Sequence, residues 1–271
     1  MPELPEVETT LRGIEPYILK LPISDIVVRE SKLRWEVPVK DLKKNLLGNY
    51  FSSIKRRAKY LILNSAKGSL LIHLGMSGSL RILNGDIKAQ KHDHIDINFN
   101  NHNLLRFTDP RKFGSFLWAK KPELHPLLVD LGPEPLGNSF SGEYLYKISR
   151  KRKITVKNLI MNSKILAGVG NIYASEALFL SHIRPQKRAG TVSLKKYELL
   201  ASSIRILLQS SIDKGGTTLR DFVGGDSKPG YFKNELLVYG RSGLSCKYCS
   251  EQLREIRLSQ RSSVYCPSCQ S

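Results

Sequence analysis

No apolar run in the 271 residues approaches the roughly 18 that a membrane-crossing helix needs. The N-terminus is acidic where a secretory signal would be basic, so the expected location is the cytoplasm. Cysteine is missing from the first 245 residues, which leaves no disulfide framework spread over the fold. There is no internal repeat and no low-complexity tract. Acidic side chains are few, 24 against 43 Lys and Arg, for a formal charge of +19. A field that positive calls for a polyanionic partner, and on charge alone a ribosome-associated or membrane-surface protein also fits. The basic residues concentrate at Lys55-Arg56-Arg57-Lys59, at Arg150-Lys151-Arg152-Lys153 and beyond position 228, instead of mixing with acids as solvated surfaces do. Nucleic acid is the favoured partner.

The four cysteines form two pairs, Cys246-x2-Cys249 and Cys266-x2-Cys269, separated by sixteen residues. Each pair can grip one side of a tetrahedral ion through thiolates, which predicts one structural Zn²⁺. Two disulfides are the alternative, opposed by a reducing cytosol. With four sulfur ligands such an ion would fold the segment and do no chemistry.

The chain is long enough for two domains. Leu4, Val7, Leu11, Ile14 and Ile18 recur at helical spacing, and Pro16 and Pro22 bracket the end of that first helix. From about 23 to 118 short apolar runs dominate: Ile26-Val27-Val28, Leu61-Ile62-Leu63, Leu70-Leu71-Ile72 and the alternating Ile95, Ile97, Phe99. With turn signals such as Asn84-Gly85-Asp86 they predict a β-sandwich or barrel. Gly132, Pro133, Pro135, Gly137 and Gly142 mark a linker over 131–142. Helical periodicity follows, clearest in Tyr197, Leu200, Ile204, Leu208 and Ile212. The turn Ala167-Gly168-Val169-Gly170-Asn171 joins two helical stretches. Asn171 can cap the second helix, whose amides suit a phosphate, although the run by itself is only a glycine-containing turn.

Removal of Met1 would expose Pro2, a secondary amine, in the run Pro2-Glu3-Leu4-Pro5-Glu6. An α-amino group with a pKa of roughly 7.7–8 is partly neutral and nucleophilic near pH 7. Attack on an aldehyde-like carbon would give an iminium, an electron sink for breaking neighbouring bonds, with Glu3 and Glu6 within one turn to move protons. An ordinary helix start uses the same residue types.

Six ordered motifs join these features: Pro2-Glu3-Leu4-Pro5-Glu6-Val7-Glu8-Thr9, His73-Leu74-Gly75-Met76-Ser77-Gly78-Ser79-Leu80, Asp109-Pro110-Arg111-Lys112-Phe113-Gly114, Leu131-Gly132-Pro133-Glu134-Pro135-Leu136, Ala167 to Tyr173, and Tyr265-Cys266-Pro267-Ser268-Cys269-Gln270. Over essentially its whole length the sequence resembles the bacterial formamidopyrimidine-DNA glycosylases, repair enzymes for oxidised purines. The resemblance implies an α+β protein. Residues 1–130 would form a catalytic β-sandwich domain with flanking helices, 131–142 a hinge, 143–236 a helical domain with a helix–two-turn–helix element, and 237–271 a zinc-finger β-hairpin. It implies a monomer acting on double-stranded DNA with oxidised bases as glycosylase and abasic-site lyase. In that family pattern Pro2 is the nucleophile that forms a Schiff base at the sugar C1′ and Glu3 the proton donor that opens the ribose. Lys59 contacts phosphate and serves β-elimination, and Arg261 clamps the backbone for δ-elimination. His73, His92, Arg111, Arg152 and Asn171 contact DNA. Met76 and Phe113 wedge into the stack and Arg111 reads the orphaned base, because a glycosylase must flip its target out and fill the hole.

Read singly, these residues have plainer roles. Met76 and Phe113 fit a core, Arg111 a charged surface, Lys59 a nonspecific phosphate contact, and His73 and His92 structural positions. The run His92-Asp93-His94 is too tight at a strand start for its ligands to converge on a metal. Residues 215–232 hold five glycines and match the loop that closes over the lesion, with Ser227 where the family usually has glycine and Asn162 where it usually has aspartate. Two competitors differ in kind. The endonuclease VIII branch, for oxidised pyrimidines, usually begins Pro-Glu-Gly-Pro and lacks the Met, Arg, Phe set. A non-catalytic zinc-ribbon DNA-binding protein leaves the N-terminal run without purpose.

Overall fold

The computed structural model describes residues 2–85, 87–216 and 235–271. Asp86 of the expected turn and most of the glycine-rich 215–232 segment, Ser227 included, lie outside them. The chain divides into two compact units, Met1–Asp130 with Lys214–Lys233, and Leu131–Asp213 with Asn234–Ser271.

In the first unit, helix α1 (Leu4–Ile18) starts on a reciprocal cap. The Glu6 carboxylate accepts the Glu3 N–H at 2.8 Å, and the Glu3 side chain accepts the Glu6 N–H. Its apolar stripe, Leu4, Val7, Leu11, Ile14 and Ile18, is buried throughout. Pro16 lies inside the helix rather than ending it. Loss of one amide in the last turn is tolerated because Ile18, fully buried, still pulls that turn onto the core, and Leu19 N–H closes on Glu15.

Eight strands form two four-stranded antiparallel sheets. One runs β2 (Ser53–Arg57), β3 (Tyr60–Ser65), β4 (Gly68–His73), β8 (Ser115–Ala119). The other runs β1 (Ile23–Val28), β6 (Asp93–Phe99), β7 (Asn103–Thr108), β5 (Ser79–Asn84). Inward residues of both sheets, among them Leu61, Leu63, Leu70, Ile72, Ile95, Ile97, Leu105 and Phe107, share one core with α1 and α2 (Val39–Leu46). The expected sandwich is therefore formed, with the apolar inner faces of the two sheets packed on each other and the middle of β4, β6 and β7 buried on both faces. A short helix, α3 (Pro126–Val129), closes the unit.

In the second unit, residues 131–141 carry no helix or strand. Gly132 packs so tightly that a Cβ would lie 2.6 Å from the Ile165 backbone. Helices α4 (Gly142–Ser149), α5 (Val156–Met161), α6 (Asn171–Leu180) and α7 (Leu194–Asp213) follow. The long apolar stripe of α7 is buried, and the Tyr173 hydroxyl meets Ser211 Oγ at 2.5 Å between α6 and α7. A hairpin of β9 (Arg254–Leu258) and β10 (Arg261–Tyr265) ends the chain.

Candidate active site and nucleic-acid interface

Pro2 and Glu3 are both buried at the head of α1, Glu3 only 2% exposed. The β2–β3 turn is tied to the same helix, because Arg56 pairs with Glu8 at 2.9 Å. That turn has two residues, Ala58 and Lys59, with Ala58 in the left-handed region at φ 53°. Lys59 is half-buried beside it. Register pairs Tyr60 with His73, and their rings meet at 4.7 Å.

Burial, with the Lys59 and Arg34 charges beside it, pushes the His73 imidazole down to about 4. Its Nδ1 accepts the Gly75 N–H at 3.0 Å, so the neutral ring carries its proton on Nε2. His73 is thus a neutral donor near pH 7 rather than a cation. An NMR titration is expected to show His73 unchanged from pH 8 to 6 and protonating only near pH 4. Because the folded value lies below that of a free imidazole, the unfolded chain binds this proton first. The contribution to stability is present above pH 6.5 and lost as pH falls toward 4.

The turns 74–78 and 109–114 carry Met76, Arg111 and Phe113, none of which is core. Met76 is 37% and Phe113 44% exposed, and the Arg111 guanidinium lies 5.0 Å from the Phe113 ring centroid. A cation over an aromatic face holds both side chains poised in water. His92 is half-buried with its ring 6.5 Å from His94. Among the described residues no metal cluster forms there. Asp93 is taken by Arg81, Arg106 and Thr108, and His94 by the Asp109 carbonyl. Some residues of the basic runs are engaged within the protein. Arg56 is spent on Glu8 and the Ala58 carbonyl, and Arg150 stacks on Tyr146 at 3.8 Å while bonding three carbonyls. Lys55 is exposed, and so is Arg152, which rests on the Ile148 carbonyl.

In the second unit Asn171 is the first residue of α6 and Gly170 is the N-cap, so the expected capping role passes to a backbone position. The Asn171 amide instead donates to the Ser262 carbonyl at 3.2 Å, in the strand that begins with exposed Arg261. Lys157, which no sequence signal singled out, is 1% exposed. Its ammonium donates to the same carbonyl and to the Ser175 and Ser263 hydroxyls. Glu176, equally buried, accepts three successive N–H groups of Leu237, Val238 and Tyr239. Burial raises its carboxyl, and those three amides oppose the rise. The hairpin is therefore docked on α5 and α6 by buried charges whose partners are far apart in the chain.

The four cysteine sulfurs lie within 4.8 Å of one another. Cys246 to Cys269 is 3.9 Å and Cys249 to Cys266 3.4 Å. A tetrahedral ion with metal–sulfur bonds of about 2.3 Å wants sulfurs about 3.8 Å apart, so the group fits one. Against burial, the Tyr248 and Cys249 amides bring Cys246 down to about 7, whereas burial and three sulfur neighbours drive Cys269 up. Four cysteines so placed could hold one metal ion through their sulfurs.

Residues 1–116 match the model of the formamidopyrimidine-DNA glycosylase N-terminal domain, and residues 131–223 that of its H2TH domain. The chain belongs to this family. It is 54% identical over 270 residues, the full length of both, to the formamidopyrimidine-DNA glycosylases of Stutzerimonas stutzeri and of Pseudomonas aeruginosa. Among solved structures it is similar, at TM-score 0.92 and 32% identity, to a Lactococcus lactis member of the family in complex with DNA containing an abasic site, with both chains fully covered. It is likewise similar, at TM-score 0.91 and 33% identity over both full chains, to a relative in complex with DNA containing carbocyclic 8-oxoguanine. Among the described residues no helix is long and apolar enough to cross a membrane.

Proposed function

We propose that this chain is a bifunctional DNA glycosylase and abasic-site lyase that removes oxidised purines, 8-oxoguanine and formamidopyrimidines, from double-stranded DNA in the cytoplasm. The observation that carries this reading is the head of α1. Pro2 and Glu3 are buried there under a reciprocal cap, and the turn bearing Lys59 is tied to the same helix. Freed of Met1, the Pro2 amine attacks C1′ of the flipped nucleotide and the C1′–base bond breaks, the base leaving with a proton. Glu3 supplies the proton that opens the ribose, leaving an iminium between Pro2 and C1′. That electron sink permits loss of a C2′ proton and departure of the 3′ phosphate, with Lys59 at the phosphate. Arg261 holds the backbone for the second elimination, at the 5′ side. His73 offers a neutral donor to phosphate, and His92, Arg152 and Asn171 add further backbone contacts, the class that dominates affinity.

The cysteine cluster holds one zinc ion, whose chemistry is limited to binding four thiolates and fixing the segment that leads to Arg261. The domain roles follow: 1–130 carries the covalent chemistry, 131–142 the connection, 143–236 the phosphate-gripping helices and 237–271 the zinc hairpin. Borohydride added to enzyme and 8-oxoguanine duplex is expected to leave protein covalently attached to DNA. Excision without any trapped adduct would refute the imine and with it the role of Pro2.

Exposed Met76 and Phe113 support a wedge, and Arg111 is the one member of the set that can donate to the orphaned base. For Arg111→Ala, single-turnover excision is expected to lose preference for cytosine over adenine opposite the lesion by roughly 5- to 150-fold, the range of ~1–3 kcal/mol for a good base contact. An unchanged ratio would remove Arg111 from base reading.

A further inference from the structure

We infer that Asp109 is the positioning residue that sets the three wedge side chains, Met76, Arg111 and Phe113, as one rigid unit. The inference rests on the wedge reading above. Asp109 follows β7 and is fully buried. One carboxylate oxygen accepts the Ser77 hydroxyl at 2.7 Å and the Arg111 N–H at 3.3 Å, and the other accepts the Gly114 N–H at 2.7 Å. Its side chain therefore holds the neighbour of Met76 with one oxygen and brackets Phe113 with both.

The backbone of Asp109 does the rest. Its N–H donates to the His92 carbonyl at 3.0 Å, and its own carbonyl receives the His94 Nε2–H at 2.8 Å. Lys112 N–H closes on that carbonyl at 3.2 Å, and Lys112 itself is left-handed at φ 55°. Two turns distant in sequence are thus in backbone contact. A Cβ on Gly75 would lie 2.4 Å from the Phe113 carbonyl carbon, and one on Gly114 would lie 2.6 Å from the Phe107 ring. A wedge needs this. Side chains that stand in water cannot be placed by burial, so the precision of their entry into the stack must come from the backbone beneath. A buried carboxylate is the one side chain that accepts three donors from two turns at once.

Two variants test the assignment. Asp109→Asn keeps the size but turns one oxygen into a donor facing donors, and Ser77→Ala removes one donor to the carboxylate together with the hydroxyl that shares the Arg111 N–H at 3.3 Å. Three quantities are read: amide hydrogen exchange of peptides covering 74–79 and 110–114, single-turnover excision of 8-oxoguanine opposite cytosine, and strand cleavage at a preformed abasic site. For Asp109→Asn, exchange is expected to rise in both peptides together and excision to fall at least 10-fold, while abasic cleavage falls less than threefold. Ser77→Ala is expected to shift all three in the same order but less. Faster exchange in both turns with undiminished excision would leave Asp109 as the clamp of the two turns but refute the wedge reading on which its role depends. Unchanged exchange in either variant, or equal loss of both activities with a fall in Tm, would overturn the positioning role itself.

Discussion

Pro2→Gly is expected to retain DNA binding and lose base excision by on the order of 10²-fold or more, the scale a positioned reactive group contributes. Glycine leaves a primary amine at the same place, so what is lost is the ring that fixes the nitrogen and its higher basicity as a secondary amine. The surrounding structure needs little repair, because the cap of α1 is made by Glu3 and Glu6, both downstream of the change. The phosphate contacts proposed above, at Lys59, His73, Arg152 and Asn171, are untouched by the change and are expected to keep the affinity. Retention of Met1 is expected to give the same phenotype, since an acylated nitrogen is no nucleophile. Single-turnover excision, with electrophoretic binding measured on the same samples, checks both. Wild-type excision by Pro2→Gly would remove Pro2 from the covalent step.

Removing the metal, or Cys246→Ser, is expected to lower DNA affinity and both strand cleavages together, by roughly 10- to 100-fold, the scale of one lost charge-assisted contact. The reason is local. Cys246 and Cys266 sit in a small core with Phe179, Val238, Leu253 and Val264, and crowded thiolates without a cation push that core apart. The hairpin is not released outright, because Glu176, Lys157 and Asn171 still hold it to the helices, and the Gln270 side chain bridges Cys266 N–H and the Ile183 carbonyl. Helical circular dichroism is therefore expected to change little while binding falls. Arg261→Ala with the metal in place should weaken binding and slow the second elimination without that loss of order. Normal lesion binding by metal-free protein would take the ion out of the function.

Much of this molecule is legible from local pattern. The stripes of α1 and α7 follow from periodicity, since burial of one face is what stabilises them, and the strands of the sandwich from short apolar runs between turn signals. The cysteine spacing anticipates the sulfur cluster because two short chelate loops suffice to build it. Elsewhere local reading fails in a consistent way. Asp96 alternates with Ile95 and Ile97 as though exposed, yet it is 2% exposed and clasped by Arg106, the residue opposite it in register. Pro16 looks like a helix end, and Asn171 like a cap. Each was decided by a partner that local spacing does not announce.

By itself the sequence determined the main helices and strands, the two cysteine pairs and the net charge, because patterning and short-range spacing fix the first two and composition the third. Only the tertiary structure decided which charged side chains are spent internally, as Arg56, Arg106, Arg150, Lys157 and Glu176 are, and that the apolar Met76 and Phe113 stand exposed beside Arg111. The physical reason is desolvation. A buried charge must find donors or acceptors wherever the fold brings them, and those partners lie up to 106 residues away, as Ser263 does from Lys157.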